Sequence, residues 1–161
     1  MEAVAWHVPT HRSVVGNKSR DDYDMRRIWQ MVSGVRKICR YSGIPLMAAL
    51  EAQRGFKGEG PTALLSIGMG FGMWRMALTA AEIPFIEVYP HEWRLKYLPP
   101  GSDKQAARSL AIKLFPAVEF PLVKDEARAE ALLIADYALR KDLGLGFLRN
   151  ASKSGKKSRQ E

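Results

Sequence analysis

Cysteine is nearly absent from this chain: Cys39 is the only one in 161 residues. A single thiol cannot close an internal disulfide or build a thiolate-rich metal site. Acidic residues are scarce as well, 17 against 25 Lys and Arg, which leaves a net charge of +8 and a pI near 9.8. That excess points to a polyanionic partner, although part of it sits in the C-terminal tail. The N-terminus lacks a basic region followed by an apolar run, so no secretory signal is expected. Internal repeats are lacking too. What is plentiful is apolar side chain, 47% of the total, which at this length gives one globular domain with a real core.

Taken in order, residues 3–8 (AVAWHV) predict a short strand stopped by Pro9. The cation-rich segment from His11 to Asp22 reads as an exposed loop. A helix is expected from Asp22 to about Tyr41, with Ile28, Met31, Val32, Val35 and Ile38 at helical spacing and Gly43 as its stop. Residues 45–50 predict a buried strand that ends on Glu51, and strand ends present side chains to a crevice. RGFKGEG follows, a loop in which Phe56 lies between Arg54 and Lys57, a composition suited to stacking on bases and touching phosphates.

Residues 61–82 predict a long buried helix. Arg75 is its one interior charge, which disfavours a bilayer span. Gly68, Gly70 and Gly72 lie in mid-helix and so do not form a dinucleotide fingerprint; they allow close approach of a sheet or a second subunit. PFIEVY, residues 84–89, is the clearest strand. Residues 91–101 read as a basic, aromatic connection. Ser102 and Asp103 start an amphipathic helix with Ala107, Leu110, Ala111 and Leu114 inward, and a loop over 116–123 leads to the last helix.

That last helix, residues 124–140 (KDEARAEALLIADYALR), organises the reading. Ala127, Ala131, Ile134 and Ala138 form an apolar stripe with Glu130 in its middle, and Leu132, Ala135 and Leu139 form a second apolar side. Only a strip near Asp136 and Arg140 is left for water. A buried unpaired carboxylate costs several kcal/mol. Glu130 therefore has a basic partner, with Arg128 at hand, or faces a cation. Glu126 lies on the same side, and Asp125 stands where an N-cap would.

Strands and helices in this order, with an acid at a strand end and another on a late helix, fit an RNase H-like nuclease. The chain resembles the RuvC-like Holliday junction resolvases, nearest to the branch found in phages and plastids. The resemblance rests on ALEAQRGF around Glu51, SIGMGFGMWRMAL, IEVYPHEWR followed by SDKQAARSLAIKLFP, and KDEARAEALLIADYA. It implies an α/β fold, a mixed β-sheet flanked by helices, over residues 1–148, with 149–161 a basic disordered tail. It also implies a homodimer acting on branched DNA, four-way junctions above all, with no membrane role, in the cytoplasm of a bacterial or phage-infected cell.

By the same resemblance Glu51 and Glu130 are catalytic acids and metal ligands. A third acid comes from Asp125 or Glu126, with Asp125 the first choice as ligand. The cofactor implied is Mg²⁺ or Mn²⁺, hard cations that take carboxylate oxygens. Two such ions would hydrolyse a phosphodiester by in-line displacement. Arg94 and Lys104 match positions facing the DNA backbone, Phe56 matches an aromatic wedge at the junction, and Arg54, Lys57 and Arg128 are further DNA-contacting cations. The family opens with a strand bearing an Asp ligand, and nothing before His7 matches it; Glu2 is the only acid nearby. The expectation is a chain truncated before its first strand, or one that has lost that ligand.

Overall fold

The computed structural model describes residues 8–15, 18–53, 58–122 and 125–142. The strand expected over 3–8 and the tail expected over 149–161 lie outside these residues, apart from Val8, which is not in a strand. The segment expected as a cationic loop is instead a hairpin. Strands β1 (Thr10–Val15) and β2 (Lys18–Tyr23) pair antiparallel, from Thr10 opposite Tyr23 to Val15 opposite Lys18. The missed signal is the Gly16-Asn17 pair, a two-residue hairpin signature.

Helix α1 (Met25–Tyr41) starts where the Asp24 side chain accepts the backbone N–H of Arg27 at 3.0 Å. It stops at Ser42, followed by Gly43 at φ +64°, where a residue without Cβ is unstrained. Strand β3 (Ala48–Glu51) runs parallel to β4 (Phe85–Val88), from Ala48 opposite Phe85 to Glu51 opposite Val88. A parallel pair needs a crossover, and α2 (Pro61–Ala80) supplies it, with Pro61 at its first turn.

The expectation that this crossover helix is buried does not hold. Only Gly70, Ala77 and Leu78 are buried, while Leu64, Leu65, Met69 and Met76 are exposed. Its apolar residues go all round, so one packed face cannot cover them. By length and composition it could also cross a bilayer; its interior Arg75 lies 3.3 Å from Glu87 of β4. Of the three glycines, only Gly70 meets a neighbour: a Cβ there would come within 2.5 Å of the Tyr23 hydroxyl.

Residues expected as a connection form helix α3 (Pro90–Tyr97). Proline sits at its first turn, and the Glu92 carboxylate accepts the Tyr89 N–H at 3.0 Å, closing half of a capping box. Helix α4 (Lys104–Leu114) follows its cap Asp103, whose side chain accepts from Ala106 N at 2.9 Å, and Ala107, Leu110 and Ala111 are buried as expected. Helix α5 (Glu126–Asp142) packs against α3, α4 and both strands of the parallel pair.

The buried side of α5 differs from the expected one. Ala129, Leu133, Ile134, Asp136, Tyr137 and Ala138 are buried, whereas Ala127 and Ala131 are exposed. Asp136, expected at the water-facing strip, accepts the Tyr97 hydroxyl and lies 2.6 Å from Arg140 Nε. Those two donors are what permits a carboxylate on the core side. One core joins β4, α3, α4 and α5 around Val88, Trp93, Leu110 and Leu133. A second joins α1 and α2 around Ile28, Val32, Ala77 and Leu78. The architecture is mixed α/β, with an antiparallel and a parallel strand pair among the described residues.

Candidate functional site

Parallel strands expose their carboxyl ends to a crevice, and β3 ends on Glu51. Helix α5 crosses beside it and brings Glu130 from the other end of the chain. Both line one open cleft of about 500 Å³, together with Tyr23, Gln53, Phe71 and Trp74. The floor is largely apolar, so the two carboxylates dominate its electrostatics.

Two consecutive residues of α3 hold the two acids. The indole of Trp93, almost fully buried, donates from Nε1 to Glu51 Oε1 at 3.1 Å, since a buried N–H requires an acceptor. Gln53 Nε2 donates to the other oxygen at 3.2 Å. Arg94 Nη1 lies 3.0 Å from Glu130 Oε1, its Nη2 donates to the Ser102 carbonyl at 3.1 Å, and its guanidinium sits over the Trp93 ring. Glu51 is thus met by neutral donors, whereas Glu130 faces a cation of the protein's own. Gln53 was missed in the sequence because its partner, Glu51, is two residues away across a strand end, and Trp93 because the segment carrying it was not read as a helix. The Tyr-Pro-His-Glu run at its start was the available signal.

The other acids are not brought to the cleft. Asp125 is buried and accepts Leu122 N at 2.9 Å and Arg128 Nη1 at 3.0 Å. It ties the turn before α5 to Arg128 on the helix and is not among the residues lining the cleft. Glu126, half-buried in the first turn of α5, does not line it either. Arg128, a candidate both for Glu130 and for DNA, is drawn to Asp125 and to the Phe120 ring, with its side chain 17% exposed. A guanidinium gains more from a buried carboxylate than from water, which explains its inward turn. Arg94, expected to face DNA, is turned to Glu130, a half-buried pair at 3.0 Å. Arg54, Phe56 and Lys57 lie outside the described residues, and Lys104 opens α4 with its side chain outside them.

Carboxylate oxygens are the donors that Mg²⁺ and Mn²⁺ take. Glu51 and Glu130, which line one cleft, supply oxygens of that kind. Among the described residues no group of three or more His, Cys, Asp or Glu could hold a metal, so the two-ion centre expected from the sequence is not furnished by them.

No family model and no curated protein matches the sequence. Solved structures do: the chain is similar to Thermus thermophilus RuvC, with 16% identity over 86% of this chain and 89% of that one, at a TM-score of 0.49. It is also similar to T. thermophilus RuvC in complex with Holliday junction substrate, with 14% identity, 81% and 80% coverage and a TM-score of 0.48.

Proposed function

We propose that this chain is a structure-selective endonuclease domain acting on branched DNA, with Glu51 and Glu130 as the acids of its cleavage site. The observation that carries the reading is their meeting in one cleft, one from a strand end and the other from a late helix. The ordered motifs around these residues, which resemble junction resolvases, and the net charge of +8 support it. A divalent ion held by Glu51 and Glu130 would supply Lewis-acid polarisation of a phosphate oxygen. Trp93 and Gln53 fix the Glu51 carboxylate, and Arg94 keeps Glu130 charge-balanced and in place. Any further acidic ligand comes from outside the described residues.

Pairing of two copies is part of the proposal. The exposed apolar side of α2, with Gly68 and Gly72 leaving open space beside the backbone, is the surface proposed for it. The compartment proposed is the cytoplasm.

A second reading, a branched-DNA binder without cleavage, is favoured by the hydrogen bonds and ion pair that already engage both acids and by the lack of a third acid among the described residues. The experiment is binding and nicking of a synthetic four-way junction against a linear duplex of the same sequence, with Mg²⁺ or Mn²⁺. Preferential binding and paired nicking of the junction are expected. Tight junction binding without nicking moves the conclusion to the second reading, and equal affinity for both DNAs defeats branch selectivity.

A further inference from the structure

Helix α1 carries five cations and no Asp or Glu between residues 25 and 41. At 100° per residue Arg26, Trp29, Ser33, Arg36, Lys37 and Arg40 fall on one side of it. Arg26, Trp29, Lys37 and Arg40 are exposed, Trp29 by 43%. Arg36, Lys37 and Arg40 surround a surface hollow with Ser33 and Tyr41. None of these cations except Arg27, which pairs with Asp24 at 3.5 Å, has a carboxylate partner among the described residues. The arrangement works against the helix. Arg26 stands at its positive end, and Arg36 and Arg40 are like charges one turn apart. Like charges held together with no carboxylate partner among the described residues are a surface for an external polyanion.

We propose that this side of α1 is a second nucleic-acid contact, gripping phosphates outside the acidic cleft; it rests on the reading that the partner is DNA. The helix presents Met31 to the cleft, while Arg26, Arg36, Lys37 and Arg40 face away from Met31 around the helix axis, so the two surfaces are separate. From Arg26 to Arg40 the stripe is about 21 Å long. Over that length a duplex carries on the order of a dozen phosphates. An exposed indole among cations is the composition that stacks on bases where strands open. A lipid surface is disfavoured because the apolar side of α1, Ile28 and Val32, is already buried against α2.

The test is fluorescence anisotropy of the full chain with a labelled four-way junction across a salt series. It compares wild type, the triple variant Arg36→Gln/Lys37→Gln/Arg40→Gln, and the charge-keeping Arg36→Lys/Arg40→Lys. If each cation neutralises one phosphate, the triple variant lowers the salt slope by about 3 and weakens binding on the order of 10²-fold at ~0.1 M salt. The Lys variant stays near wild type. A triple variant within twofold of wild type with an unchanged slope overturns this surface while leaving the cleft reading standing. A wild-type chain with no salt-dependent affinity for nucleic acid overturns both. Binding to phosphatidylserine vesicles that the triple substitution abolishes, with junction affinity unchanged, overturns it in favour of a membrane contact.

Discussion

Replacing Asp136 by Ala should cost about 3 kcal/mol of folding stability. This carboxylate accepts the Tyr97 hydroxyl and pairs with Arg140, so its loss strands a buried phenol and a partly buried guanidinium together. The value is set at the low end for a broken buried pair because the Arg140 side chain, 21% exposed, still reaches water. For a chain of this size that is roughly a 6–12 °C fall in Tm, read by thermal unfolding; a change under about 1 kcal/mol would mean the network does not tie α3 to α5. Asp136→Asn keeps an acceptor and should cost less. The network also has a pH signature. Burial, then the hydrogen bond to Asp136 and its charge, raise the ionisation of Tyr97 above its ordinary value, about 10. A folded value above the unfolded one means that this contribution is intact below about pH 10 and is lost as pH rises further, because the unfolded chain ionises and the folded one resists. Tyr97→Phe should remove that part of the alkaline loss.

The second large effect concerns cleavage. Glu51→Gln or Glu130→Gln alone should reduce junction nicking on the order of 10²-fold, at least what is lost when a supporting residue of a metal site is changed. Junction affinity should stay within a few-fold. The amide is nearly the same shape, and its oxygen still accepts from Trp93 Nε1 or Arg94 Nη1, so the contact with α3 is kept. What disappears is the negative charge. Nicking that survives both substitutions would remove the cleft from the reaction.

Much of the layout was legible because it is local. Asp103 at a helix start, Gly43 as a stop and the strand-forming run Phe85 to Val88 act within a few residues, and the structure follows them; Asp24, the actual cap of α1, lies two residues past the expected start at Asp22. The two central acids were legible as residue types at a strand end and inside a helix. The partners were not, because they depend on tertiary packing. Periodicity alone cannot choose among the several apolar sides of α5, and the choice fell to the one that lets Asp136 reach Tyr97. The same rotation leaves Asp125 beside Arg128, away from the cleft. Helix α3 was hidden because its own pattern is weakly amphipathic, and its start is marked only by Pro90 and Glu92. With α3 missed, Trp93 and Arg94 could not be assigned to Glu51 and Glu130.

The central claim is that Glu51 and Glu130 act together as one cation-binding pair, with Arg94 as the protein's own counter-charge. Titration of the chain with Mn²⁺, followed by water-proton relaxation, tests this without requiring turnover. About one weakly held ion per chain is expected, lost in Glu51→Gln and in Glu130→Gln. Arg94→Gln removes the competing guanidinium at 3.0 Å from Glu130, so that variant should bind Mn²⁺ more tightly than wild type. Binding unchanged in both glutamate variants, or weakened by Arg94→Gln in a protein that remains folded, would contradict the account.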